Sequence, residues 1–282
     1  MNEPAPNLHS ILPATGPQDV AVGHALITLV QPHAGYERAY NRWYEDEHFI
    51  RGAMAEPWMF AGRRWVAPRA LKALRIAAPG SALTTPLSNG SYLGTYWITP
   101  GRLDDHRAWT RAVNEREIAE GKKFTHSDHV FTSFQDRAGT VYRGADVPNE
   151  IFTLMDPASG LVLEVIDAPT AEERGSLERW LLDVELPSRV RPGAPVTSAM
   201  VFRTNSVTSG ASARIVAAMR DVSNGDRRLT VLWFLDRDPR EIWSDCFGDE
   251  VERIGLAGFG TMSFAAPFIP SRMGTDAYVD QL

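Results

Sequence analysis

The chain has 282 residues, 44% of them hydrophobic and 23% charged, enough for one large core or two medium ones, and ordinary domain sizes favour two. A formal net charge of −6 and a pI near 5.7 argue against nucleic acid or an anionic membrane as the main partner, because both need a basic surface, whereas a small neutral or weakly polar ligand fits. Apolar runs such as Ala25 to Val30 are too short to cross a bilayer, the start MNEPAPNLHSILPATG has no leader pattern, and a single cysteine excludes an internal disulfide or a Cys-based zinc cage. A cytoplasmic protein is the expectation.

In chain order, the first 20 residues read as a loose arm. Short β-branched and aromatic runs bounded by Pro, Gly or Asn then read as strands, and charged stretches with apolar residues three and four apart read as helices. The order is strand 25–31, helix 34–48, strand 59–66, a long insertion at 67–90 placed to cover a pocket as a lid, strand 91–98, helix 103–120 and strand 129–135. After a linker at 143–160 the order repeats: strand 161–167, helix 171–186, strand 197–204, strand 228–235, helix 239–255 and strand 261–268. Cys246 falls in that last helix, in IWSDCFGDE, as a structural thiol.

Each half is βαββαβ, and the repeat is visible in the residues. An offset of 137 lays Arg42-Trp43-x-x-Asp46-x-His48 on Arg179-Trp180-x-x-Asp183-x-Glu185, ALITLVQP on VLEVIDAP, and YLGTYWI on LTVLWFL, while the later helix needs an offset of 134 to place Trp109 on Trp243. A βαββαβ unit folds as a four-stranded antiparallel sheet with both helices on one face. The expected fold is therefore α+β: two tandem ferredoxin-like units, 1–142 and 161–282, pairing sheet to sheet as a pseudo-twofold α+β barrel. It closes without a second chain, so a monomer or a homodimer would serve.

The duplicate acts as an internal control. At 100° per residue Tyr36, Tyr40, Trp43 and Glu47 share a helical stripe, flanked by Tyr44 and His48 four residues apart. In the second half the matching positions carry Leu177 for Tyr40, Leu181 for Tyr44, Val184 for Glu47 and Glu185 for His48. Buried hydroxyls and charges need partners, so the first half is expected to hold a hydrated or ligand-filled pocket; the alternative is that Glu47 and His48 face solvent at a frayed helix end. His48 is the candidate general acid or base, with Tyr44 and Glu47 as orienting partners. Tyr40, Trp43, Tyr96, Trp97 and Trp109 are candidates to line the pocket, although Tyr96 and Trp97 point to opposite faces and only one can do so. No metal site is expected, because His126 and His129 in FTHSDHVF cannot both reach one ion from a regular strand.

With W-Y-x-D-E-H (Trp43 to His48) near the end of the first helix, the chain resembles the dimeric α+β barrel superfamily, and most closely its EthD-like branch. The resemblance implies a ligand between helices and sheet and His48 as the acid/base residue. It also implies a range of chemistries: cofactor-free monooxygenases, muconolactone isomerases, polyketide cyclases of the olivetolic acid type, and haem enzymes such as chlorite dismutases and aldoxime dehydratases. Glu185 in place of a histidine departs from the pattern in the second half, and only His126 and His129 suggest a haem ligand. The leading expectation is a cofactor-independent lyase, isomerase or cyclase acting on a small hydrophobic or aromatic carbonyl compound. A cofactor-free or haem-dependent oxygenase or dehydratase, and a non-catalytic small-molecule-binding barrel, are the alternatives.

Overall fold

The computed structural model describes residues 21–144, 151–155, 158–205 and 224–282. The expected arm at 1–20 and residues 145–150 and 156–157 of the expected linker lie outside the described residues.

Apolar alternation bounded by turn residues gives the strands. In the first half β1 (His24–Pro32), β2 (Met59–Val66), β3 (Tyr92–Ile98) and β4 (Ser127–Tyr142) are joined by α1 (Glu37–Trp43), which runs on as a π-helical segment (Tyr44–Ala53), by the short α2 (Arg69–Lys72) and by α3 (Leu103–Ala119). After α4 (Ile151–Met155), the second half has β5 (Gly160–Asp167), β6 (Val196–Thr204), β7 (Arg228–Leu235) and β8 (Thr261–Pro270). Its helices are α5 (Arg174–Trp180), a second π segment (Leu181–Glu185), α6 (Leu186–Arg189), α7 (Pro239–Cys246) and α8 (Glu250–Ala257), so the expected helix at 171–186 is continuous but changes pitch at Leu181, and the one at 239–255 is split in two.

All strand pairs are antiparallel, and the order β1-β3-β2-β8-β5-β7-β6-β4 closes into a barrel. Each half reads 4-1-3-2 across its sheet, the ferredoxin-like order, and two such units in one chain make a pseudo-twofold α+β barrel. The 137-residue offset lays α1 on α5 end for end, and both π segments begin directly after the matching tryptophans, Trp43 and Trp180. In β1 that offset is one residue out. Ala25 pairs with Trp97 where Leu161 pairs with Phe234, so β1 matches β5 at 136. A run as apolar as ALITLVQP does not record which face is buried, and a one-residue slip exchanges the faces.

Alternate residues of both halves fill the barrel. Trp97 stacks on Phe202 with centroids 6.0 Å apart and lies 6.3 Å from Phe234, which also meets Trp65. The halves therefore share one interior. The two seams between them differ: β4 and β6 are joined by seven residue pairs, β2 and β8 by two. Edge backbone groups must find other partners, and the 67–90 insertion supplies them along β8. Ile76 exchanges both backbone bonds with Ala265 (3.1 and 2.9 Å), Ala78 N–H reaches Met262 C=O, and Leu83 N–H reaches Ser263 C=O. The insertion expected as a lid thus completes a seam, with Arg75 donating to the carbonyls of Asn89 and Gly90.

At one end of the second half, Arg228 makes two parallel 2.8 Å bonds to Asp167, which also accepts from Ser263 (2.7 Å), tying β7, β5 and β8 together while almost fully buried. Removing one partner of such a pair leaves a buried charge uncompensated. Asp167→Ala is expected to lower unfolding free energy by about 3–5 kcal/mol in urea titration; a loss under about 1 kcal/mol would show that the pair is dispensable.

Candidate active site

The site begins with how the first helix changes pitch. Gly35 at φ 85° turns the chain out of β1, and α1 starts with Glu37 in its first turn. From Tyr44 the helix is π-helical, so residues five apart come into line, one more than in an α-helix. Trp43 and His48 consequently stack, with centroids 4.4 Å apart and rings inclined by 22°. Tyr44 and Phe49 lie 6.3 Å apart by the same spacing. The expected 100° stripe fails here: Glu47 is exposed, faces Arg51 across 3.6 Å, and does not orient His48.

The carboxylate that meets His48 comes from α3. His48 Nδ1 and Glu117 Oε1 are 2.6 Å apart, with both side chains mostly buried. Burial alone would raise the Glu117 carboxyl; the hydrogen bond and charge of His48, helped by Lys123, outweigh it and hold the group below its ordinary value. Gly52 leaves room for the imidazole, since a Cβ there would lie 2.9 Å from His48 Nδ1. Its carbonyl also accepts from Trp109 Nε1 at 3.0 Å, so Trp109 fastens α3 to the π segment.

Beneath His48 is an aromatic layer on the sheet. Tyr44 Oη and Tyr96 Oη are hydrogen-bonded to each other, and the Tyr96 ring lies across two glycines, Gly62 and Gly94, whose Cβ atoms would fall 2.8 and 3.0 Å from it. Tyr40 packs against Trp43, Tyr44, Tyr92 and Phe124 at 5.4–5.9 Å. The buried Arg64 guanidinium sits over the rings of Tyr44 (4.2 Å), Tyr92 (4.4 Å) and Tyr40 (5.8 Å), and is ion-paired to Glu45 and hydrogen-bonded to Asn41. Burial raises the Tyr44 hydroxyl well above its ordinary value despite Arg64, so it remains a proton donor. Burial raises Tyr92 to about 12 in the same way. Glu45 also accepts from Gly274 N–H (3.1 Å), and Asn41 donates to Thr275 C=O (2.8 Å), so the C-terminal tail is pinned over α1.

Of the residues named from sequence, His48, Trp43, Tyr44, Tyr40 and Tyr96 come together. Trp109 braces the helix layer, while Trp97 faces the barrel interior, the split between Tyr96 and Trp97 expected from strand alternation. Tyr36 is 41% exposed and stacks on His126 at 3.8 Å. His126 and His129 are both exposed, outside the buried layer beneath the helices, so neither is placed there as an axial haem ligand. Glu117, Glu45 and Arg64 join the site without having stood out in the sequence. The α3 stripe Leu103, His106, Thr110, Val113, Glu117, at spacings of three and four, marks Glu117 as inward. Strand alternation puts Arg64 on the face of Gly62, where the second half has Val201.

In the second half the same place is filled by charge. Glu185, the counterpart of His48, accepts from Arg253 (2.6 Å) and Arg189 (3.4 Å), and Glu250 accepts from Arg189 (3.0 Å) and Arg253. The Arg189 guanidinium lies 4.2 Å from the Trp233 ring centroid. Glu164, fully buried on the helix-facing side of β5, has neither oxygen hydrogen-bonded among the described residues. An open cleft of about 480 Å³ elsewhere in this half, lined by residues including Asp238, Arg240 and Tyr278, shares no residue with the His48 surroundings.

No protein-family model and no curated protein sequence matches the chain. Among solved structures it is similar to an anthrone oxidase-like protein (10% identity, 91% of this chain and 94% of that one, TM-score 0.49). It is also similar to a dye-decolorizing peroxidase from Bacteroides thetaiotaomicron (13%, 94% and 98%, TM-score 0.47) and to a monooxygenase-like protein from Listeria innocua (9%, 89% and 95%, TM-score 0.36). Among the described residues no helix is long and apolar enough to cross a membrane.

Burial pushes Glu164 up from 4.5 to about 7, with Arg189, the Trp233 indole and Arg253 pulling the other way. A raised native value means the folded state holds the proton more tightly, so the contribution is complete below the unfolded value and lost as pH rises through the folded one. Glu164→Gln is expected to flatten the decline in stability that Glu164 causes between pH 4.5 and about 7. Thermal unfolding of both proteins across that range checks this, and identical pH profiles would rule it out.

Proposed function

We propose that the chain is an enzyme that moves a proton on a small hydrophobic or aromatic carbonyl compound, with His48 as the acid/base group. The observation that carries this reading is the 2.6 Å contact between His48 Nδ1 and Glu117 Oε1. With Nδ1–H donating to the carboxylate, the other ring nitrogen, Nε2, holds the lone pair and is the atom left for a substrate. Nε2 accepts a proton from an acidic C–H or O–H, Glu117 stabilises the imidazolium that forms, and the proton returns to a different atom of the substrate. A lyase, an isomerase or a cyclase can each be built on that pair of transfers.

The aromatic layer supports the substrate class. Trp43, partly exposed, stacks on His48, and the rings of Tyr40 and Phe124 pack behind it, an apolar aromatic setting that suits a ring or a conjugated carbonyl. Tyr44 and Tyr96 have two hydroxyl protons and spend one on their mutual bond, so one O–H remains to meet an oxygen on which negative charge develops. Arg64, under the Tyr44 ring, favours that charge. Neither His126 nor His129 fits as a haem ligand, and no step here runs through one.

The test is turnover, and solvent deuterium exchange into the substrate, on a panel of aromatic and conjugated carbonyl compounds. His48→Gln is expected to lower kcat by about 10²–10⁴-fold, the range general acid–base catalysis supplies, and Glu117→Gln by a smaller factor with an altered pH profile. Full turnover by His48→Gln overturns the reading. So does stoichiometric oxygen uptake, which identifies an oxygenase, or binding of the panel without any exchange, which identifies a binding barrel.

A further inference from the structure

A second histidine–carboxylate pair lies at the start of α3, and it is built unlike the first. Glu56 and His106 are 4% and 1% exposed, yet Glu56 Oε1 is 3.8 Å from His106 Nδ1, beyond hydrogen-bond reach. Among the described residues, both oxygens of Glu56 and both ring nitrogens of His106 have no hydrogen-bond partner. The same is true of Trp58 Nε1 and Thr99 Oγ1.

Backbone bonds gather these residues into one corner. Thr99 N–H donates to Trp58 C=O (3.1 Å) and Met59 N–H to Glu56 C=O (3.1 Å), while Arg102 N–H reaches Thr99 C=O (3.3 Å) and His106 N–H reaches Arg102 C=O (3.0 Å). Phe134 meets the His106 ring edge to face, with centroids 5.9 Å apart. A buried polar atom left unsatisfied keeps its full desolvation penalty, so several in one corner call for an occupant that answers them together.

The chemistry of the walls selects that occupant. An anion is opposed by Glu56, and a full cation would give up its hydration for a single carboxyl among apolar rings. Burial raises Glu56 to about 7 and lowers His106 to about 4, moving both toward their uncharged forms. An uncharged carboxyl and an uncharged imidazole each offer one donor together with an acceptor, the indole adds a donor, and the Thr99 hydroxyl acts either way. Their complement is a neutral group that both donates and accepts.

We propose that Glu56 and His106, with Thr99 and Trp58, form a binding site for one hydroxyl-type group, neutral and both donor and acceptor, bridging the gap between the carboxyl and the imidazole. The group comes either from solvent, as a trapped water, or from the hydroxyl of an organic molecule carried by the protein. The site stands independently of the role proposed for His48.

A high-resolution crystal structure of the full chain as purified, paired with mass spectrometry of the small molecules released on denaturation, tests this. The expected result is density within about 2.6–3.2 Å of both a Glu56 oxygen and a His106 nitrogen. A single-atom peak assigns it to water, and extended density with a matching released mass assigns it to an organic hydroxyl. In parallel, nitrogen NMR of the imidazoles should find His106 uncharged at pH 5.5, below the ordinary histidine value of about 6.5. An empty gap, direct hydrogen bonding of Glu56 to His106, or a charged His106 at that pH would each overturn the proposal.

Discussion

The first half depends on polar groups that cross between its two helices. The π segment and α3 are fastened by the His48–Glu117 bond at one end and by Trp109 to Gly52 C=O in the middle, and Glu56 faces His106 at the other end. His48 and Gly52 lie on the π segment and Glu56 in the turn that follows it, and their partners run back along α3. Groups of this kind leave water only when partners await them, so the relative position of the two helices and the state of the imidazole are set together. A helix pair packed by leucines could slide by a fraction of an ångström. This one would break a charge-assisted bond.

The pseudo-twofold architecture shows how one scaffold distributes buried charge differently between its halves. Arg64 on β2 is matched by Val201 on β6, while Glu164 on β5 is matched by Thr28 on β1, as the strand registers place them. The cation of the first half lies among tyrosine rings with Glu45 as counter-ion, leaving His48 and the tyrosine hydroxyls beside it. In the second half Glu185, Glu250, Arg189 and Arg253 neutralise one another and fill the equivalent space. The same backbone frame thus presents a histidine poised on a carboxylate in one half and a closed ion network in the other.

Closure of the barrel is equally uneven. The long β4 zips to β6, but β8 meets β2 only at Trp65 and Val66, and the insertion after β2 takes over the rest of that edge through Ile76, Ala78 and Leu83. Beyond β8 the chain crosses to the first half, where Gly274 and Thr275 bond to Glu45 and Asn41. The weak seam therefore lies beside the Arg64 cluster, and segments from both halves brace it.

Local patterns in the sequence determined the element order, the βαββαβ plan of each half, and the opposite facing of Tyr96 and Trp97, because strand alternation and helix periodicity are properties of neighbouring residues. Comparing the two halves also singled out His48 and Tyr44, whose counterparts are Glu185 and Leu181. The tertiary structure decided the rest. A change of helical pitch at Tyr44 turned Glu47 outward, and a contact between residues 69 apart in sequence gave His48 its carboxylate. Neither is written in any short window: pitch is settled by how the whole element packs, and the partner of a charge by which side chains the fold brings within 3 Å of it.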